Sequence, residues 1–272
     1  MCRIIAYAGP LMRLSRLIHE APHGLADQSR DARLMTDSRV AGDGWGVGWF
    51  SPEAGAEPGL IKGVLPLWSD GNASSATRAI LSGSAVGHVR LASSGVEACF
   101  LNTPIYALDG RLWTMNGAIE PWPGRISRAL RGRLDPDHEA AVRGSTDAEL
   151  LAALWRTHLR RGGGTDAAAA VRAALREARD AARELGGAIK ANVLVADEAG
   201  GVATRFSDPG EPNSLFYASG QGRWLGGSLV ASEPLDDGAG WREVEPDSLV
   251  RFSGEGVAVE PLGLDAAARA HS

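Results

Sequence analysis

The sequence contains little cysteine and little lysine for its length of 272 residues. Its two cysteines, Cys2 and Cys99, are too few for the disulfide framework of a small secreted protein. We therefore expect a protein of a reducing compartment, the cytoplasm. Only Lys62 and Lys190 are lysines among the 28 basic residues. Together with the abundant alanine and glycine, this indicates biased genomic base composition.

Long apolar runs and a surplus of basic residues are also missing. The longest apolar run, Leu150 to Trp155, is far shorter than the roughly 18 residues that a membrane span requires. The N-terminal apolar stretch ends at Gly9-Pro10, which is too early for a secretory signal. The formal net charge of −5 argues against a nucleic-acid partner. We expect neither a membrane nor a nucleic acid as partner, and the sequence does not fix the oligomeric state.

The apolar periodicity predicts strands in the first and last thirds of the chain and two helices between them. The helices are expected over Glu149 to Leu159 and Asp166 to Leu185, the second capped by Thr165 and ended by Gly186. This order predicts an α+β fold with helices packed on antiparallel sheets. The predicted strands are Arg3 to Ala8, Gly44 to Phe50, Ala85 to Ala92, Leu112 to Ile119, Ala191 to Ala196, Val202 to Phe206, Leu215 to Ala218, Leu225 to Ala231, Ser248 to Phe252 and Val257 to Val259.

The chain is expected to form one domain over residues 2–257, followed by a C-terminal tail over residues 258–272. Residues 122–146 follow Pro121 and contain Pro123, Pro136 and several charges, which favours an excursion at the surface. No internal repeat and no long linker interrupts the domain.

The position of Cys2 directly after the initiator Met suggests covalent catalysis. If Met1 is removed, a thiol and a free α-amine lie on one residue, and their ordinary pKa values of about 8.5 and 8 match well near neutral pH. The amine could then take the thiol proton, as in other enzymes with an N-terminal nucleophile. The alternative is a small apolar residue that opens a strand. Cys99 is expected to be a buried spectator.

Three further segments each allow a structural and a functional interpretation. Arg90, two residues after His88, is either a solvated or salt-bridged arginine or a fork that binds a carboxylate. Asn116-Gly117 is either a hairpin turn or a pair of hydrogen-bond donors for an oxyanion. Asp147 follows Ser145-Thr146 at a helix start, so the segment supplies an N-cap, a carboxylate for a substrate ammonium, or both.

These groups together fit one ligand. An arginine for an α-carboxylate and an aspartate for an α-ammonium would hold the head of an amino acid. A nucleophile and an oxyanion hole would then meet the γ-carbonyl at its far end. The ligand that has these features is a γ-glutamyl amide.

These segments occur in the same order as the motifs of a known family. On this ground the chain resembles the class II glutamine amidotransferases, which are N-terminal nucleophile hydrolases. The resemblance covers roughly residues 2 to 255. Within the family the chain is most similar to the γ-glutamyl hydrolases of ergothioneine biosynthesis. The motifs that carry the resemblance are Met1-Cys2, Gln28-Ser29, Asp43 to Gly48, Pro66 to Asp70, His88-Val89-Arg90, Asn116-Gly117, Thr146-Asp147 and Ala231 to Asp237.

The resemblance implies a four-layer αββα sandwich and a set of residue roles. Cys2 would be the nucleophile with its own amine as base, and Asn116 and Gly117 the oxyanion donors. Arg90 would bind the α-carboxylate and Asp147 the α-ammonium, and we add Leu91 and Ser93 as substrate-binding residues. The implied reaction releases glutamate from the small molecule γ-glutamyl hercynylcysteine sulfoxide, without a cofactor.

Two departures from the family pattern and two rival functions stand beside this hypothesis. Met115 replaces a histidine found in many relatives, and Ser93-Ser94-Gly95 replaces Thr-His-Gly. One rival is a glutaminase subunit that supplies ammonia from glutamine to a separate synthase, and the other is a non-catalytic binding module. We expect no metal site, because the six histidines lack ligand spacing on a shared helix face.

Overall fold

The computed structural model describes residues 2–35, 38–51, 55, 57–93, 95–220, 224 and 226–265. Seven α-helices lie in these ranges: α1 (Ser15–Ile18), α2 (Leu25–Arg30), α3 (Gly71–Ala79), α4 (Arg125–Arg131), α5 (Pro136–Ala140), α6 (Asp147–Arg161) and α7 (Ala167–Glu184). The described strands are β1 (Arg3–Arg13), β2 (Trp45–Phe50), β3 (Gly59–Gly63), β4 (Leu81–Val89), β5 (Tyr106–Leu108), β6 (Arg111–Glu120), β7 (Ala188–Asp197), β8 (Gly200–Arg205), β9 (Ser207–Asp208), β10 (Phe216–Ser219), β11 (Ser228–Ala231), β12 (Arg242–Glu243), β13 (Ser248–Ser253) and β14 (Gly256–Pro261).

The strands form two antiparallel sheets. The first sheet has the order β12-β10-β11-β1-β4-β2-β3, so β1 lies in its interior between β11 and β4. The second has the order β14-β13-β8-β7-β6-β5, with β9 added to β7. Because successive side chains of a strand point to opposite faces, each sheet presents one face to the other sheet and one to helices.

Alternation along β1 separates two hydrophobic clusters. Ile5 and Tyr7 pack with residues of α1 and α2 on the outer face of the first sheet. Ile4 and Ala6 pack instead against the second sheet. Cys2 precedes Ile4 by two residues, so the same alternation directs its side chain to the space between the sheets.

The second sheet has the same two-sided arrangement. In β6, Trp113 and Met115 pack against the helical layer that contains α6 and α7, whereas Leu112 packs between the sheets. The layers are therefore helix, sheet, sheet and helix, which confirms the predicted four-layer αββα sandwich. In the described residues, no helix combines the length and the apolar character needed to span a membrane.

Local details of the predicted elements differ from the structure. The N-cap of α7 is Asp166, whose side chain accepts the Ala169 N–H, and not Thr165. The boundary expected after residue 257 falls inside β14, which pairs with β13 up to Pro261. The segment 122–146 is an excursion that contains α4 and α5. Part of the expected tail, residues 266–272, lies outside the described residues.

Candidate active site

The Cys2 thiol lies at the open end of the space between the two sheets. It donates a weak hydrogen bond to the Leu91 carbonyl at 3.7 Å. Burial raises the pKa of the Cys2 thiol, against the lowering effects of the Leu91 hydrogen bond and the Arg90 charge. At neutral pH the group is therefore a protonated thiol, and a neighbouring base has to remove its proton before it can act as a nucleophile.

A cavity of about 340 Å³ opens in front of this thiol. Its walls include Cys2, Leu91, Ser93 and Gly117, four of the residues predicted from the sequence, and also Lys190. The volume is in the range of small-molecule sites. The structure thus brings residues of β6 and β7 in one sheet against the N-terminus of the other sheet.

The loop that follows β4 is clamped by Asp43. The Asp43 carboxylate accepts the Ala92 N–H at 2.7 Å, and its own N–H donates to the Arg90 carbonyl at 2.9 Å. The Arg90 N–H donates in turn to the Gly44 carbonyl at 2.8 Å. The strand predicted over Ala85 to Ala92 ends earlier than expected, because β4 stops at Val89. Arg90 and Leu91 therefore lie beyond the observed strand and are held by side-chain and loop contacts instead.

Arg90 and Asp147 are buried beside Cys2 without lining the cavity themselves. Arg90 is 4% exposed and Asp147 is 9% exposed, and the Nη1 atom of Arg90 has no hydrogen-bond partner in the described part of the chain. Burial raises the pKa of Asp147, and the charge of Arg90 opposes this. The two groups lie near enough to affect each other electrostatically, yet the contacts described for the Asp147 carboxylate are backbone N–H groups and include no salt bridge to Arg90. An unpaired buried cation is costly unless a ligand neutralises it.

Asp147 is also the first residue of α6, and this segment supplies the N-cap that the structural interpretation predicts. Thr146 is the N-cap, and its hydroxyl accepts the Glu149 N–H at 3.1 Å. The Asp147 carboxylate accepts the N–H of Ile119 in β6 at 2.7 Å and that of Ala148 at 2.8 Å. The cap therefore fixes the helix end, and the Ile119 contact fixes the carboxylate against the edge of β6.

Asn116 lies in the middle of β6, so the hairpin interpretation of Asn116-Gly117 is wrong. Its side chain faces the space between the sheets, because Leu112, four residues earlier on the same face, packs there. The amide donates to the Ser232 hydroxyl at 3.3 Å, and its oxygen accepts from Asn213 at 3.3 Å. One N–H of the amide is left without an acceptor in the described residues.

Gly117 occupies a position where no side chain fits. A Cβ built on Gly117 would lie 1.9 Å from the Lys190 carbonyl oxygen of the neighbouring strand β7. Backbone N–H groups alternate in direction along a strand, and the Ile119 N–H points to Asp147 at the free edge of β6. We expect the Gly117 N–H, two residues earlier, to point toward the same edge.

A buried ion network supports the residue next to Cys2. The Arg3 guanidinium donates to the Cys2 carbonyl at 3.1 Å and lies 3.2 Å from the Glu233 carboxylate. Glu233 also contacts His23 at 2.8 Å and accepts two backbone N–H groups of the loop at Arg33 and Leu34. Burial acts to raise the pKa of Glu233, but these contacts outweigh it and lower that pKa.

Sequence reasoning missed the supports of Asn116. Asn213 donates to the backbone and side-chain oxygens of Asn116, and Ser232 accepts from both Asn116 and the Ile4 N–H. Ser232 belongs to the family motif Ala231 to Asp237, so the sequence could have indicated it. Asn213 lies in none of the motifs named above. In the sequence, Lys190 stands out only as one of two lysines.

The structure shows the surroundings of one of the two departures from the family pattern. Met115 is 2% exposed in the core between the second sheet and its helices, and so its side chain points away from the cavity. Ser94 lies outside the described residues. In the described ranges, no three or more His, Cys, Asp or Glu side chains come together in a way that could hold a metal ion.

Comparisons with known proteins agree with this arrangement, although no family model matches the chain. It is 29% identical to a γ-glutamyl-hercynylcysteine sulfoxide hydrolase of Mycobacterium tuberculosis (strain CDC 1551 / Oshkosh), over 96% of this chain and 97% of that protein. It is 28% identical to the protein of the same name from Mycolicibacterium smegmatis, over 96% of this chain and 100% of that protein.

The fold has solved neighbours as well. A glutamine aminotransferase class-II domain protein from Silicibacter pomeroyi superposes with a TM-score of 0.67 at 22% identity, over 95% of this chain and 98% of that chain. The similarity to the two hydrolases runs along nearly the whole chain. In this chain the αββα sandwich places Cys2 directly before the interior strand β1. The chain is thus similar along its length to γ-glutamyl-hercynylcysteine sulfoxide hydrolases and has the fold of a class II glutamine amidotransferase domain, and it is an amidohydrolase.

Proposed function

We propose that the chain hydrolyses γ-glutamyl hercynylcysteine sulfoxide, with Cys2 as nucleophile and a γ-glutamyl thioester as intermediate. The observation that carries this proposal is the buried pair Arg90 and Asp147, which are oppositely charged, close together and not bonded to each other. An α-amino acid head bears one carboxylate and one ammonium group, so it complements this pair. The names of the two mycobacterial relatives support the choice of substrate.

The first half-reaction forms the thioester. After removal of Met1, the α-amine of Cys2 takes the thiol proton, and the sulfur bonds to the γ-carbonyl carbon while the π electrons move to the oxygen. Asn116 and Gly117 donate hydrogen bonds to this oxyanion. As the C–N bond breaks, the Cys2 ammonium gives its proton to the leaving nitrogen, which departs as an amine.

The second half-reaction restores the enzyme. The Cys2 amine takes a proton from water, and the resulting hydroxide bonds to the thioester carbon. The C–S bond then breaks, the sulfur receives the proton and glutamate is released. We further propose a cytoplasmic location, where a reducing environment keeps the Cys2 thiol free.

Glutamate release by the purified protein tests this function. Synthetic γ-glutamyl hercynylcysteine sulfoxide is compared with L-glutamine, and mass spectrometry checks that Met1 is absent. We expect fast release from the sulfoxide, slow release from glutamine and none from the Cys2→Ala variant. Cys99→Ala is the matched control, because it removes the other cysteine, and it should keep the activity.

Other outcomes would contradict the proposal. A preference for L-glutamine would identify a glutaminase that supplies ammonia to a partner. Release from neither compound by protein without Met1 would exclude this substrate. Full activity of Cys2→Ala would exclude the thioester route.

A further inference from the structure

Lys190 lies one step along the sheet from the predicted oxyanion hole. In the register of β6 and β7, Asn116 pairs with Asn192 and Ala118 pairs with Lys190. A shift of two residues along a strand corresponds to about 7 Å and returns to the same face. Lys190 therefore shares the face of Asn116 and is displaced from it along the cavity.

The Lys190 side chain reaches the cavity without a charged partner. It is half-buried and lines the same cavity as Cys2. Within the described residues its ammonium makes no hydrogen bond or ion pair. Glu120, which also lines the cavity one further register step away, does not reach it within salt-bridge distance. A half-buried ammonium on a pocket wall is suited to bind an anionic group of a substrate.

The position of Asp147 indicates which end of the substrate carries the anionic group that Lys190 would bind. Ile119 gives its N–H to Asp147 and not to β7, so Asp147 approaches β6 from the edge away from β7. Lys190 is on β7 itself. The amino acid head and the Lys190 ammonium are therefore on opposite sides of β6, with Gly117 and Cys2 between them. Beyond the scissile bond at Cys2, the substrate continues as the leaving amine.

From this geometry we propose that Lys190 binds a carboxylate on the leaving amine. The site then selects γ-glutamyl amides whose leaving group is itself an α-amino acid, over glutamine and over amides of uncharged amines. This inference rests on the proposed function, because it assigns the leaving-group side of the same site. It makes Lys190 a specificity residue, which is not required for the bond-breaking steps.

The test compares matched substrates on matched variants. γ-Glutamyl-alanine and γ-glutamyl-ethylamide differ by the carboxylate of the leaving amine. For the wild-type protein, kcat/KM should favour the alanine amide by about tenfold to a hundredfold, the value of a hydrogen bond to a charged group. Lys190→Met should remove this preference by lowering kcat/KM for the alanine amide alone, and Lys190→Arg should restore most of it.

Each outcome separates this inference from the proposed function. Equal kcat/KM values of the wild-type protein for the two amides would overturn the role of Lys190 and leave γ-glutamyl hydrolysis intact. An equal loss on both amides in Lys190→Met would also overturn it and place the lysine on the glutamyl side. No release of glutamate from any γ-glutamyl amide would contradict the proposed function itself. If Lys190→Met fails to fold, Lys190→Gln with the same two amides gives the same comparison.

Discussion

The guanidinium of Arg3 lies 3.2 Å from the carboxylate of Glu233, and each side chain is only 1% exposed. This pair connects the first strand to the segment after β11, and Arg3 holds the carbonyl of Cys2 at the same time. The position of Cys2 therefore depends on a buried ion pair between residues that are far apart in the sequence.

Replacing Glu233 with glutamine should destabilise the protein strongly, because it leaves the Arg3 charge buried without a counter-ion. We expect a loss of about 3–5 kcal/mol in the free energy of unfolding, measured by urea denaturation. Asp237→Asn is the control: the Asp237 side chain is 91% exposed in its pair with Arg33, and the change should stay within about 0.5 kcal/mol. Equal stabilities of the two variants would refute the importance of the buried pair.

Gly117→Ala should damage the active site, because the new Cβ would lie 1.9 Å from the Lys190 carbonyl oxygen. Strand β6 has to shift, and with it the oxyanion donors. We expect kcat for glutamate release to fall by about a hundredfold or more. Gly71→Ala, at the start of α3 with nothing within 4 Å of its Cβ, should keep full activity. Normal turnover by Gly117→Ala would exclude a role for this backbone position.

Arg90→Met should weaken substrate binding and stabilise the free protein, because it removes a buried charge whose Nη1 atom has no hydrogen-bond partner in the described residues. We expect kcat/KM to fall by about tenfold to a hundredfold. The free energy of unfolding should rise by about 1 kcal/mol or more. The comparison is Arg205→Met: Arg205 is also buried, but it contacts the Asn213 carbonyl and Glu243, so its loss should destabilise. A destabilised Arg90→Met would show that Arg90 has a partner in the free enzyme.

His88 should make the protein sensitive to acid. Burial, together with the charges of Arg90 and Lys62, lowers the pKa of His88 to about 3. An unfolded histidine titrates near 6.5, and so between these pH values only the unfolded state takes up the proton. The stability contribution is complete above about pH 6.5 and is lost as the pH falls toward 3.

Urea denaturation from pH 3 to 7 measures this effect. His88→Gln should reduce the slope of the unfolding free energy by up to about 1.4 kcal/mol per pH unit in that window. The glutamine can keep the hydrogen bond to the Thr114 hydroxyl, which His88 makes at 2.8 Å. Parallel curves for the two proteins would show that His88 is not the group responsible.

Much of the fold could be predicted from local patterns. The two long helices and the strands β1, β6 and β7 follow from apolar periodicity, because each has one face against a core. The helices α1, α2 and α3 were missed, since they have only four to nine residues and weak periodicity. Short helices of this kind depend on packing against a sheet more than on their own sequence.

The candidate active site likewise contains some residues that local patterns indicate and others that only long-range contacts bring together. Cys2 and Asp147 could be proposed from the sequence because the start of the given chain and the start of a helix are visible in it. Asn116-Gly117 has the composition of a hairpin turn, and pairing with β7 along its whole length overrides that local preference. Asn213 contacts Asn116 across 97 residues, and no local pattern reports such a contact.

The interior place of β1 has a consequence for how the protein acquires activity. The Ile4 N–H donates to the Ser232 hydroxyl, 228 residues later in the sequence. Strand β1 also pairs with β11, and Arg3 needs Glu233. During synthesis, Cys2 and β1 therefore leave the ribosome long before the residues that hold them, Ser232 and Glu233. Maturation of the catalytic centre has to follow synthesis of most of the chain, and a topology with such distant pairings folds slowly.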